Sequence, residues 1–301
     1  MKILFAKKAY ELPESWAEVG REKIPALVEL AYLMPDIGAT HLEVVRVVLG
    51  IKKRIWNQLL GVHFSDKMTE DVREANASNI NYLVRQCSWI WDEPMTEMPF
   101  EFFAHQGEKY YLSKSTAELP FGVMSYGELA NAYINLQGFV KKLRDDDFYL
   151  DNLVATLCRR RQRVDSDYTG LTERGWMASG EGNWNGDLRV SYNEYLCAEM
   201  AGKFANLGYD KKLAVLMYFA GNLKRFMDSY KGTFGRGDGD GEEYIGQGFL
   251  KNQHLLAEKG VFGTLAQTKT ANCHEVLMYL EEYGADMEKK MEAQRQSMGG
   301  G

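Results

Sequence analysis

Two short motifs contain residue types that could act as a catalytic nucleophile, but neither has the spacing that its reaction requires. Residues 122–127 are similar to a nucleophile elbow, yet Val123 stands where that motif needs the glycine two residues before Ser125. Cys273 and His274 are adjacent, and adjacent residues of a helix do not face each other. Since no glycine-rich phosphate-binding loop occurs either, the sequence predicts no enzymatic activity.

The residues that commonly bind metals are spread too widely to predict a metal site. Asp238 begins an acidic, glycine-rich run that is similar to a calcium loop. Its sixth position, however, is Glu243 instead of glycine, and its twelfth is Phe249 instead of glutamate. The histidines and cysteines form no pair at the spacing of a metal site. The sequence therefore predicts neither a metal nor a small cofactor, and we expect the cysteines to be buried, reduced thiols.

Arginine and tryptophan residues are the candidates for binding a partner. The arginines follow an apolar helical stretch. There, positive charge either complements the dipole of a helix C-terminus or contacts a phosphate or an acidic partner. Tryptophans at helix ends and in loops, including Trp89 and Trp91, either anchor a loop onto the core or belong to a protein interface. The candidate partner-binding residues are Arg159, Arg160, Arg161, Arg163, Trp176 and Trp184.

The composition excludes several broad classes of protein. The chain of 301 residues is 45% hydrophobic, which excludes wholesale disorder. It carries 36 Lys and Arg against 42 Asp and Glu, so we do not expect a nucleic-acid binder. No run reaches the roughly 18 apolar residues of a membrane span, and the first residues do not form a signal peptide. We therefore expect a cytosolic protein without membrane contact.

Hydrophobic periodicity predicts an α+β protein that is mainly α-helical. Motifs of the form S/T-x-x-E at Thr40 and Ser125 predict that these residues begin helices as capping boxes. Asp210 is a further expected N-cap. Helices are predicted over residues 21–33, 40–60, 69–91, 125–143, 147–161, 187–207, 210–230, 249–258 and 272–297.

Two predicted β-hairpins, over residues 2–12 and 100–112, each precede helices and indicate an internal duplication. If the duplication is real, the hairpins pair into one small sheet covered by helices, within one compact body. The alternative is that two similar units follow the same local rules. The expected units are a first hairpin with helices over 1–98, a second over 99–163, a flexible loop over 164–186, and a helical part over 187–301 with a flexible Gly-rich loop at 232–248.

Six short motifs follow one another along most of the chain. They are Tyr10–Trp16 (Y-x-L-P-x-S-W), Lys109–Tyr111, Ser125–Leu129, Leu153–Arg159, Gly186–Arg189 and Gly260–Thr264. In this order they resemble poorly characterised proteins from the structural gene modules of tailed phages and prophages of Bacteroidetes-type bacteria. The chain departs from that pattern at residues 158–160, where Cys-Arg-Arg replaces Tyr-Arg-Pro.

The resemblance implies a non-enzymatic role in virion morphogenesis, and it brings no catalytic residues with it. Its first interpretation is a tail assembly chaperone that binds the tape-measure protein. The alternatives are a connector or ring component of the virion, and a binding module directed at a host protein. The implied partners are other phage structural proteins, namely tape-measure, tube or connector subunits, and self-association stays open. The implied location is the bacterial host cytoplasm during assembly, or the virion for a connector.

The charged final helix suits the chaperone interpretation. Residues 281–295 are rich in charge and are predicted to project into solvent, where they could engage a long helical client. Residues 299–301 are three consecutive glycines. One hypothesis is that their codons form part of a slippery site for a frameshifted, extended product, and the alternative is a frayed tail.

Overall fold

The computed structural model describes residues 2–5, 8–63, 65–116, 118–144, 146–162, 187, 189–234 and 244–299. It is 64% helical with a small antiparallel sheet, which confirms the predicted α+β, mainly α-helical fold class. Two predicted features lie wholly or partly outside the described residues: the loop at 164–186, and the centre of the Gly-rich stretch, at 235–243. The chain divides into two compact units, Met1–Phe100 with Gly208–Gly221, and Glu101–Leu207 with Asn222–Gly301.

The first unit begins with an antiparallel pair of strands and continues as helices. Strand β1 (Lys2–Phe5) pairs with β2 (Lys8–Glu11), and two short 3-10 turns follow. The helices are α1 (Ile24–Tyr32), α2 (Gly38–Val48), α3 (Lys53–His63), α4 (Glu70–Gln86) and α5 (Trp89–Asp92).

The single helix predicted over residues 40–60 is wrong, because the structure has two helices there. Gly50 adopts a left-handed backbone (φ 65°) between α2 and α3, a conformation that glycine accepts more readily than other residues. The predicted capping box at Thr40 is also wrong. Thr40 lies inside α2 and donates its hydroxyl to the Pro35 carbonyl at 2.7 Å, while Glu43 pairs with Arg46.

Tryptophans fasten the turns of the first unit to one another. The indole of Trp16 packs edge-to-face on that of Trp89, with ring centroids 5.3 Å apart. Their ring N–H groups donate to the carbonyls of Glu93 and Pro13, respectively. Trp91 donates in the same way to the carbonyl of Ala31. Trp89 and Trp91 therefore serve as anchors of local structure in this unit.

The second unit contains a three-stranded antiparallel sheet in the order β3 (Phe102–His105), β4 (Glu108–Leu112), β5 (Cys158–Arg159). One boundary between the two units falls within helix α9 (Tyr209–Ser229), whose residues up to Gly221 belong to the first unit. The remaining helices are α6 (Tyr126–Val140), α7 (Phe148–Leu157), α8 (Glu194–Phe204), α9 (Tyr209–Ser229), α10 (Lys231–Phe234), α11 (Gln247–Glu258), α12 (Leu265–Thr270) and α13 (Cys273–Gly299).

The hairpins and one helix end differ from the prediction. The two hairpins belong to separate sheets, so the expectation that they pair with each other is wrong. The third strand of the larger sheet comes instead from residues predicted as the end of a helix. Helix α7 ends at Leu157, and Cys158 and Arg159 then pair with Leu112 and Tyr111 of β4.

Several local predictions are confirmed or refined. The four cysteines are free and buried, and burial raises the pKa of Cys87 to about 12 and that of Cys197 to about 11. The N-cap predicted at Asp210 is wrong, because this residue lies within the first turn of α9. In the described parts of the chain, no helix is long and apolar enough to span a membrane.

The predicted N-cap of α6 is confirmed, because the Ser125 hydroxyl accepts the backbone N–H of Glu128 at 3.2 Å. Ser125→Ala removes this acceptor, and we expect the free energy of unfolding to fall by about 1 kcal/mol in urea denaturation. Ser125→Thr keeps a hydroxyl at the same place and should lose clearly less. Equal losses in the two variants would contradict a capping role.

Candidate functional site

A cluster of four charged side chains is assembled from separated parts of the second unit. Glu128 comes from the first turn of α6, and Arg159 from β5. Asp187 and Arg189 belong to a segment that runs beside the end of β5. There Arg161 and Arg189 form an antiparallel bridge, and the Val190 N–H donates to the Arg160 carbonyl at 2.8 Å. We call the four side chains of Glu128, Arg159, Asp187 and Arg189 the ion cluster.

Both arginines of the ion cluster contact both carboxylates. Arg159 lies 2.9 and 3.1 Å from the two oxygens of Glu128, and 3.1 Å from Asp187. Arg189 makes a two-pronged contact with Asp187 at 2.9 and 2.8 Å, and reaches Glu128 Oε1 at 2.9 Å. Oε1 thus faces two guanidinium groups at ion-pair distance. The positive and negative charges of the cluster balance.

Backbone carbonyls complete the coordination of the guanidinium groups. Arg159 donates to the carbonyls of Val190 and Thr156 as well as to the two carboxylates. Arg189 donates to the carbonyl of Leu157 at 2.7 Å. The cluster therefore closes the C-terminal end of α7 as well as joining side chains. This carbonyl coordination is the helix-end function that the sequence suggested for the arginines, although it comes from buried groups.

The ion cluster is removed from solvent. The side chains of Glu128, Arg159, Asp187 and Arg189 are only 1%, 6%, 11% and 3% exposed. Burial by itself lowers the pKa of the Arg189 guanidinium. The neighbouring carboxylates of Glu128 and Asp187 outweigh that effect and raise this pKa above its ordinary value. The positive charge of Arg189 is therefore stabilised by the carboxylates that surround it.

A cavity of about 140 Å³ borders the ion cluster, with Ser125, Tyr192 and Thr270 also in its wall. The guanidinium groups that face it already have acceptors, so they offer no open fork for an anion. Each carboxylate already lies at ion-pair distance from both arginines. This geometry suits a role in joining chain segments better than a role in catalysis.

The predicted partner-binding residues differ in their exposure to solvent. Arg159 is buried in the ion cluster, so a partner cannot reach it on the surface. Arg160 and Arg161 are exposed. Arg163, Trp176 and Trp184 lie outside the described residues.

Arg160 belongs to a surface pair with Glu108, at 3.1 Å. Glu108 also accepts the hydroxyl of Tyr110 at 2.9 Å. The Tyr110 hydroxyl and then Arg160 lower the pKa of Glu108, while burial and Glu108 together raise the pKa of Tyr110 to about 12. The carboxylate of Glu108 therefore already offsets part of the positive charge that Arg160 could present to a partner.

Sequence reasoning missed three of the four members of the ion cluster. The sequence indicates Glu128 only as part of a capping box, but in the structure its carboxylate turns toward the arginines. Asp187 and Arg189 are two residues apart, which is the spacing of side chains on one face of an extended segment. That alternation, next to a glycine-rich stretch, is the signal that could have marked them.

A second polar set fastens the start of α13. The Nε2 atom of His274 lies 2.7 Å from the Pro120 carbonyl, which can only accept, so this nitrogen carries the proton. The Nδ1 atom then accepts the hydroxyl of Tyr230. Burial lowers the pKa of His274 and raises that of Cys273 beside it. A neutral thiol beside a neutral imidazole is not an activated cysteine nucleophile.

Comparison with family models, curated proteins and solved structures finds no match to this chain. Within the described ranges, no three His, Cys, Asp or Glu side chains come together in a group that could hold a metal ion. The resemblance to phage structural-module proteins therefore stays a prediction that rests on the sequence motifs.

Glu128→Gln should be strongly destabilising, because it leaves two buried guanidinium groups facing a neutral amide. We expect a loss of about 3–5 kcal/mol in the free energy of unfolding, measured in urea. The matched control is Glu108→Gln, at the exposed pair with Arg160, which should change stability little. Similar losses at the two positions would contradict the dominant role of the ion cluster.

The lowered pKa of His274 predicts how stability depends on pH. As the pH falls through the ordinary value of 6.5, the unfolded chain takes up this proton before the folded one does. The contribution is therefore fully present above pH 6.5 and is lost progressively as the pH falls toward the folded-state pKa. His274→Gln should flatten the pH dependence of the free energy of unfolding below pH 6.5. The control His254→Gln, at an exposed residue, should keep the pH dependence of the wild-type protein. An unchanged pH dependence in His274→Gln would contradict the role assigned to His274.

Proposed function

We propose that this protein is a non-enzymatic phage morphogenesis protein, and specifically a tail assembly chaperone that binds the tape-measure protein. Two observations support the proposal. The motif order resembles phage structural-module proteins, and helix α13 presents a long exposed segment of the kind that binds other helices. The second observation carries the proposal, because it identifies a surface that a client could use.

Helix α13 is anchored at its start and exposed along its second half. Its first turns bury Val276, Leu277 and Leu280 in the core. Glu281 then accepts the backbone N–H of Thr233 at 2.9 Å. From residue 286 to residue 297 every side chain is exposed, which corresponds to about 18 Å of helix at 1.5 Å per residue. This length of helix is available to another chain.

The exposed segment continues the apolar face of the buried part. Met287 and Met291 follow Leu280 by seven and eleven residues, so they lie on the helix face that packs into the core further back. Their exposure is 38% and 49%. Methionine is flexible and polarisable and adapts to differently shaped apolar partners. A methionine face on a projecting helix is therefore suited to covering a helical client.

A chaperone of this kind needs contacts that are weak for each copy but, summed over many copies, strong enough to cover the client. A tape-measure protein is long and helical, so many chaperone copies can bind along it and protect its apolar faces until tube subunits replace them. The two exposed methionines on this face of α13 suit such weak, reversible contacts. In this proposal the protein acts in the bacterial host cytoplasm during assembly.

The test is co-expression of the full chain with the tape-measure protein encoded in the same phage gene module. We expect the two proteins to co-purify, and Met287→Asp/Met291→Asp to reduce the recovered tape-measure protein at least about tenfold, because two charges enter the apolar face. The matched control is Met278→Asp. Met278 is 57% exposed on the opposite face of α13, and its substitution should leave recovery unchanged.

Two results would contradict the chaperone proposal. One is co-purification that the Met287→Asp/Met291→Asp variant leaves unchanged. The other is abundant protein in purified virions by mass spectrometry, which would favour a connector or ring component. Co-purification with the tube or connector subunit alone would also redirect the assignment.

A further inference from the structure

We propose that the exposed part of α13 binds an amphipathic helix whose apolar face is bordered by acidic side chains. This inference rests on the proposed function, since it describes the client surface that the same helix face would recognise. It specifies the chemistry of the partner, which the motif resemblance does not.

The apolar face of α13 has the spacing of a coiled-coil seam. Leu277, Leu280, Gly284, Met287 and Met291 are separated alternately by three and four residues, which is the heptad pattern of positions a and d. The first two of these side chains are buried in the body of the second unit, and the two methionines are exposed. The seam is therefore covered by the protein at Leu277 and Leu280, and it is accessible to a second helix at Met287 and Met291.

Cations stand on both borders of the exposed seam. Lys290 follows Met287 by three residues, at position g, and Arg295 follows Met291 by four, at position e, so they lie on opposite sides. Both are exposed. The border with Arg295 also holds Glu288, so the two borders together carry a net positive charge. A partner with carboxylates opposite Lys290 and Arg295 is the complementary one.

The charged residues on the outer face of this segment are Asp286, Lys289 and Glu292. Asp286 and Lys289 lie 3.8 Å apart as an i,i+3 pair, at positions c and f of the heptad. Their attraction is satisfied within the helix and does not select a partner. The selective charges are therefore those that border the seam.

A second copy of this chain is a poorer occupant of the seam than a foreign acidic helix. In a parallel pair, position g of one helix faces position e of the next heptad in the other, so Lys290 would lie against Arg295 of the second copy. We therefore assign the seam to a foreign client helix.

The test uses the full chain and two labelled three-heptad peptides in fluorescence anisotropy at low salt. Both peptides have leucine at positions a and d, and they differ only in having glutamate or lysine at e and g. We expect the glutamate peptide to bind at least about tenfold more tightly than the lysine peptide. Lys290→Glu/Arg295→Glu should reverse that preference, and Met287→Asp/Met291→Asp should abolish binding of both peptides. Met278→Asp should bind like the wild-type chain.

Three results would overturn the inference: equal binding of the two peptides, binding of neither, or a preference that Lys290→Glu/Arg295→Glu does not change. A dimer in sedimentation velocity that Met287→Asp/Met291→Asp dissociates would overturn it as well, since a second copy would then occupy the seam.

The experiments can overturn the chaperone proposal and the acidic-partner inference independently of each other. If the tape-measure protein co-purifies through Met287 and Met291 but the two peptides bind equally, the chaperone proposal stands and the acidic partner helix is excluded. If the glutamate peptide binds selectively but the tape-measure protein does not co-purify, the acidic partner helix stands and the chaperone proposal is excluded.

Discussion

The second unit depends on four buried charges that neutralise one another. Glu128, Arg159, Asp187 and Arg189 are nearly inaccessible, and each would be costly to bury alone. Together they neutralise one another and use the carbonyls at the end of α7 as further acceptors. A buried ion cluster is weak evidence for stability relative to apolar packing. What the cluster does here is join separated parts of the chain, since its four charges come from α6, β5 and the segment that holds Asp187 and Arg189.

That constraint explains where local sequence rules succeeded and where they failed. The start of α6 at Ser125 depends on a hydroxyl and on the backbone beside it, so the sequence predicted it correctly. Periodicity also located most helices, because each buries one face. The end of α7 was predicted too late, since residues 158–159 leave the helix to pair with β4 and to place Arg159 in the cluster. The break at Gly50 was missed because the apolar pattern continues across it.

The site itself was predictable only in part. A run of arginines was visible, and it indicated an exposed basic patch. Local sequence cannot show that the first arginine of the run turns inward while Arg160 and Arg161 remain outside. That difference arises from Glu128, 31 residues earlier, and from Asp187, 28 residues later. Pairing over such separations is decided by the tertiary fold, and the amino-acid composition carries no information about which charged residues pair.

The ion cluster and the proposed client surface are physically connected through one short segment, residues 120–128. Its C-terminal end supplies Glu128 to the cluster. Its other residues hold the base of α13: the Met124 carbonyl accepts the N–H of Cys273, the Gly122 carbonyl accepts the Asn272 side chain, and the Pro120 carbonyl faces His274. A projecting helix can present a binding face in a fixed direction only if its base is rigid. The buried charges therefore support the exposed methionines indirectly, because they fix the segment to which α13 is fastened.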